Sequence, residues 1–113
     1  MSKTPLRLRP AIARAAQARS KQLRQTVSGY VAILVNNYEA QPCAIQAEDP
    51  DEKLARVNVG MSWRAGLRVR TERLAGNASL STNAFVEALI AADMLSPERD
   101  LVIRALGSKP KLL

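Results

Sequence analysis

The sequence contains no histidine. That removes the side chain most used for proton transfer near neutral pH and the commonest metal ligand. A single cysteine, Cys43, rules out a disulfide framework within the chain and fits a reducing cytoplasm. No apolar run approaches the roughly 20 residues of a membrane-spanning helix. The basic N-terminal stretch is followed by no apolar signal core after Arg9, so neither membrane insertion nor secretion is expected. The five glycines form no phosphate-cradling loop, and no nucleophile stands beside a base. An enzyme is therefore not expected, nor a cofactor or a bound metal. Aromatic residues are scarce: one Trp, two Tyr and one Phe.

Acid is also sparse, and its placement is uneven. The chain has 17 Lys and Arg against 10 Asp and Glu, a net charge of +7 over 113 residues. Residues 1–38 carry seven basic residues and no acid, whereas residues 39–54 carry five acids against Lys53 alone. A basic chain of this kind points to a polyanionic partner. The acidic stretch EAQPCAIQAEDPDEKL reads as a linker between two basic parts, and its charge should keep it off a nucleic acid. Its ~16 residues could span up to ~50 Å. The length suits one small domain over residues 1–113, and a 47% hydrophobic fraction is enough for one shared core.

The stretch from Ala55 to Ala92 carries the organisation. Val57, Val59 and Met61 alternate with Arg56, Asn58 and Gly60, the period of a half-exposed strand. Ser62 can cap a helix bearing Trp63, Leu67, Thr71 and Leu74 at helical spacing. Gly76-Asn77 reads as its stop. Ser79 or Ser81 can cap a second helix carrying Phe85, Val86, Leu89 and Ile90. The order is strand, helix, turn, helix.

A short strand needs a ladder partner. The candidate is Lys3 to Arg9, with Leu6 and Leu8 inward and Pro5, Arg7 and Arg9 outward. Pro10 suits a first helical position, and Ile12, Ala16 and Leu23 mark that helix's inner side. Thr26 can cap a further helix that buries Tyr30, Val31, Leu34, Val35 and Tyr38. Residues 28–35 lie over residues 83–90, aromatic on aromatic and aliphatic on aliphatic. Leu6, Leu8 and Pro10 match Val57, Val59 and Met61 if the second copy has four more residues before its last helix. The chain is thus a degenerate repeat: a first motif over 3–38, the acidic linker over 39–54 and a second motif over 55–93. With Ser96-Pro97-Glu98 as a start signal, an apolar stripe of Leu101, Val102, Ala105 and Leu106 predicts a C-terminal helix over 96–107. That helix either packs on the bundle or docks another protein or a second copy.

These strand-helix-helix units, with a basic or amide strand face, resemble the ribbon-helix-helix (Arc/MetJ-like) superfamily. The likeness covers about two-thirds of the chain and is better in RVNVGMSWRAGLRVRTERLAGNASLSTNAFVEAL than in TPLRLRPAIARAAQARSKQLRQTVSGYVAILVNNY, whose inter-helix turn looks shorter. Family members normally pair two identical chains. Two copies in one chain are similar in arrangement to TraY of conjugative plasmids. The resemblance implies a mainly α fold, an intramolecular pseudo-dimer in which a two-stranded antiparallel ribbon lies over four helices. It departs from the family at Pro5 on the reading face and at Gly60, where many members carry a side chain.

A two-stranded ribbon fits the major groove of double-stranded DNA, where Arg pairs with guanine and Asn with adenine. Arg7, Arg9, Arg56 and Asn58 are accordingly the expected base-reading residues. The resemblance also implies that helix starts clamp the DNA backbone. Here those are Thr26, Val27 and Ser28 in the first copy and Ser81, Thr82 and Asn83 in the second. Arg14, Arg19, Lys21 and Arg24 would add sequence-independent attraction to phosphate. The expected function is a sequence-specific DNA-binding protein of the bacterial cytoplasm, nucleoid- or plasmid-associated. It would act as a transcriptional repressor or a relaxosome accessory factor. An antitoxin-type regulator, a basic RNA-binding or ribosome-associated protein, and a protein-protein adaptor using the C-terminal helix are the alternatives. RNA modules need exposed stacking rings, and Tyr30, Phe85 and Trp63 are expected in the core.

Overall fold

A computed structural model describes residues 5–64 and 66–95. The expected C-terminal helix over 96–107 and the first residues of the first motif lie outside the described residues. The elements run β1 (Leu6–Leu8), α1 (Pro10–Gln22), α2 (Val27–Ala40), β2 (Val57–Val59), α3 (Leu67–Asn77) and α4 (Thr82–Leu95). The fold is mainly α. β1 and β2, one from each half, pair antiparallel with Leu6 opposite Val59, Arg7 opposite Asn58 and Leu8 opposite Val57. The ribbon is therefore centred on the Arg7–Asn58 pair.

The repeat is written in the helix ends. After α1, Arg24 takes a left-handed backbone (φ 57°), and the Gln25 and Arg24 N–H groups bond back to the Ser20 and Lys21 carbonyls. After α3, Ser79 does the same (φ 60°), with Leu80 and Ser79 bonding back to Ala75 and Gly76. Each is a Schellman closure on a residue other than glycine, where the left-handed region costs roughly 1 kcal/mol. The next helix is then capped alike. Thr26 Oγ1 accepts from the Gly29 N–H at 3.0 Å, and Ser81 Oγ from the Ala84 N–H at 3.1 Å. Each turn between helices thus holds four residues, 23–26 and 78–81. The expectation of a shorter first turn is corrected.

Burial follows the same spacing. Tyr30, Val31, Leu34 and Val35 on α2 answer to Phe85, Val86, Leu89 and Ile90 on α4, all eight fully buried. At about 2 kcal/mol for each fully buried large apolar side chain, this seam contributes far more than two caps at about 1 kcal/mol each. Leu6, Leu8, Val59 and Met61 cover it from the ribbon side. Tyr38 meets Phe85 edge-on at 5.1 Å between ring centroids.

Three local expectations are corrected. The third helix begins at Leu67, not at Ser62. Gly66 precedes it in a left-handed conformation (φ 75°) that an L-residue avoids, and the first helical bond runs from Arg70 to Gly66. Trp63 is buried, but from the connection before the helix. The extra residues of the second copy lie in this connection. The stop of α3 is also not Gly76-Asn77, which belong to its last turn; Ser79 supplies the left-handed residue. Finally, Val57 is 42% exposed although it sits on the inward face. It is the first ladder residue after the linker, and Leu54 and Ala55 beside it are exposed as well.

Candidate functional site

The centre of the ribbon presents Arg7 and Asn58, directly opposed and both exposed. The main chain of Arg7 is held by side chains. Its N–H donates to Asn83 Oδ1 at 3.0 Å, and its carbonyl accepts from Arg56 Nη1 at 3.0 Å. The Arg7 strand is therefore fixed while its own side chain stays at the surface. Pro5 and Gly60, the ends of the same outward face, are exposed too.

The other two expected base-reading arginines are placed differently. The Arg56 side chain is 2% exposed. Its guanidinium donates to Asp49 Oδ2 at 2.8 Å and to both oxygens of Glu87, at 3.2 and 3.3 Å. Arg9 turns to the same carboxylate. Its Nε donates to Glu87 Oε1 at 3.1 Å, its backbone N–H to Oε2 at 2.9 Å, and its Nη1 to Glu48 at 3.0 Å. Glu87 itself is buried. A buried carboxylate needs partners to offset its lost hydration, and these two arginines supply them. The expected outward position of Arg56 is therefore corrected, and Arg9 is engaged within the fold.

Glu87 was missed by sequence reasoning. A signal existed: it is the one charge in the apolar run Ala84–Ala92, and it stands where the first copy has Ala32. Arg19, expected at a phosphate, also faces inward. Its Nε donates to Asp93 Oδ2 at 3.0 Å, and the buried Tyr30 hydroxyl donates to the same oxygen at 2.6 Å. Burial, then the Asp93 hydrogen bond, pushes the Tyr30 pKa up, so the phenol keeps its proton. Arg14, Lys21 and Arg24 are exposed.

The two helix starts differ. At α2 the N–H groups of Val27 and Ser28 have no acceptor within the helix. Ser28 Oγ accepts from the Ser62 N–H at 2.7 Å. An open cleft of about 490 Å³ lies there, lined by Thr26, Ser28 and Ser62 and bordered by Arg24 and Arg64. At α4 the start is already in contact with an acid. Glu52 accepts from Ser81 Oγ at 2.5 Å and from Asn83 Nδ2 at 3.0 Å. Glu52 is held by a tight turn, with its own N–H bonded to the Asp49 carbonyl and a backbone φ of 55°. The Asp49 carboxylate accepts from the Lys53 and Leu54 N–H groups at 2.9 and 3.0 Å. Burial opposes its charge, but those two N–H groups and Arg56 outweigh it and hold the Asp49 pKa below its usual value.

No helix among the described residues is long and apolar enough to cross a membrane, and no group of His, Cys, Asp and Glu there could hold a metal ion. Comparison of the chain with family models, curated proteins and solved structures finds no match. What stands is the architecture: two strand-helix-helix units in tandem, joined by one intramolecular ribbon.

Proposed function

We propose that this chain is a ribbon-helix-helix protein that binds double-stranded DNA by inserting the β1–β2 ribbon into the major groove. The carrying observation is the Arg7–Asn58 pair, opposed at the ribbon centre and exposed on a chain of net charge +7. A two-stranded ribbon is of a size for that groove, and these two side chains complement guanine and adenine edges. The start of α2, with Arg24 and Arg64 beside it, contacts phosphate on one flank, and Arg14 and Lys21 add attraction that carries no sequence information. Each phosphate neutralised steepens the salt dependence by about 0.9 in log-log slope.

Opposite Arg7 stands Asn58 rather than a second arginine, so the reading face lacks two-fold symmetry, and one molecule prefers a non-palindromic site. That suits an oriented element such as a transfer origin, as well as a promoter. A transcriptional repressor and a relaxosome accessory factor of the bacterial cytoplasm both fit. RNA recognition is supported less: Tyr30, Trp63 and Phe85 are buried and Tyr38 packs on Phe85, which leaves no freely exposed ring for stacking. Selection from a randomised duplex pool tests the reading, with structured RNA as competitor at about 150 mM salt. An enriched asymmetric duplex motif that resists the RNA is expected. An unenriched pool, or displacement by RNA, counts against it.

A further inference from the structure

The acidic segment between the two halves does more than connect them. Three of its carboxylates reach the flanks of the ribbon and the start of α4: Glu48 to Arg9 at 3.0 Å, Asp49 to Arg56 at 2.8 Å, and Glu52 to Ser81 and Asn83 at 2.5 and 3.0 Å. Ser81 and Asn83 belong to the helix start that would meet phosphate in the second half. Asn83 is oriented for this contact, because its Oδ1 is held by the Arg7 N–H while its Nδ2 donates to Glu52. The equivalent start of α2 is bordered by two arginines instead. A carboxylate and a phosphate use the same donors, and both are favoured at a helix N-terminus.

We propose that the Glu52 carboxylate is an internal competitor of the DNA backbone, holding the phosphate position at the start of α4. The proposal rests on the DNA-binding reading above. The first half then grips the duplex unaided, and the second grips it only when Glu52 leaves. Glu52 is the point of control, because Asp49 is also anchored by the Lys53 and Leu54 N–H groups and by Arg56. Glu52 is held from outside its own turn by two side chains alone.

Glu52→Gln removes the charge and keeps one of the two acceptor oxygens, so it can hold Ser81 or Asn83 but not both. Asp51→Asn makes the same change of charge one residue away, at an exposed side chain with no hydrogen bond or ion pair. Binding of the full chain to a mixed-sequence duplex is measured at about 100 mM salt. The expected result is about fivefold tighter binding for Glu52→Gln, the scale of one charge at a helix terminus. Asp51→Asn should change it by less than about twofold. Equal effects of the two variants on a parent that binds duplex would overturn the internal competitor and leave DNA binding standing. No duplex binding by parent or variants would overturn both. Should Glu52→Gln fail to fold, the parent decides: on adding duplex, the Asn83 side-chain amide signal should shift as Glu52 is displaced. A signal that stays put while DNA binds counts against the proposal.

Discussion

Arg7 and Asn58 can be removed without touching the fold. Both side chains are exposed, and what Arg7 contributes to structure is its main chain, which alanine keeps. Arg7→Ala and Asn58→Ala should each weaken binding to a selected site by about 1–3 kcal/mol, with normal melting. A variant that melts normally and binds as tightly as the parent does not read bases. Glu87 is the opposite case. Truncating it leaves buried Arg56 with Asp49 as its remaining carboxylate and Arg9 with the exposed Glu48, and breaking a buried pair from one side costs about 3–5 kcal/mol. Glu87→Ala should therefore show a large loss of stability in urea, whereas Glu72→Ala, at the exposed Arg68 pair, should change it by less than about 1 kcal/mol. The sequence made Arg7 and Asn58 legible because strand period alone decides which way they face. It hid the fate of Arg9, Arg19 and Arg56, since their carboxylate partners on α4 lie 78, 74 and 31 residues away. Period assigns a direction to a side chain, but a long arginine can turn back to a buried acid.

Among the elements, the starts of α1, α2 and α4 are legible in the sequence, whereas the cap offered by Ser62 misplaces the start of α3. Pro10, Thr26 and Ser81, the last of these one of two candidate caps beside Ser79, each mark a helix start by a local mechanism, and the α2–α4 seam follows a spacing shared by both copies. The connection before α3 was not placed, because Trp63 continues the helical pattern of Leu67, Thr71 and Leu74 although the chain reaches it outside the helix. The left-handed Gly66 decides that boundary, and periodicity does not sense it. In the sequence the turn at 49–54 shows only as part of an acidic linker. It is built on the Asp49 carboxylate, whose pKa in the fold lies below the ordinary value of 3.8. A depressed acid stabilises the folded state above its unfolded pKa, and that contribution is lost as pH falls through the lower folded value. Acid titration should accordingly loosen this turn below about pH 3.8. Amide signals of Lys53 and Leu54 report it, and they should move less in Asp49→Asn. Identical acid shifts in both proteins would show that Asp49 does not hold the turn.

At the scale of the molecule, one chain supplies both strands of the ribbon and both sides of the seam. An isolated unit of this type has half a core and must find a partner, whereas here the partner is covalently attached and its effective concentration is high. Closing the connecting segment costs loop entropy that grows slowly with length. Melting should be independent of protein concentration over about a hundredfold range, with a monomer mass by sedimentation. A melting temperature that climbs with concentration, together with a dimer mass in dilute solution, would mean that the halves pair between chains.

The residues from Gln41 to Ala44 are exposed, and they lie between Glu39, which pairs with Arg70 and Arg73, and the acidic contacts from Glu48 onward. The peptide bonds in that stretch keep the halves near each other, while the buried seam and the paired ribbon carry the packing that joins them. The chain should therefore tolerate being severed there. Two polypeptides, one ending and the other starting within 41–44, should find each other when co-expressed and rebuild the ribbon across a non-covalent boundary. Such a split form would melt at a temperature set by its concentration, and each piece alone would be unfolded. It would make the protein a two-part reporter whose assembly can be read as the return of structure.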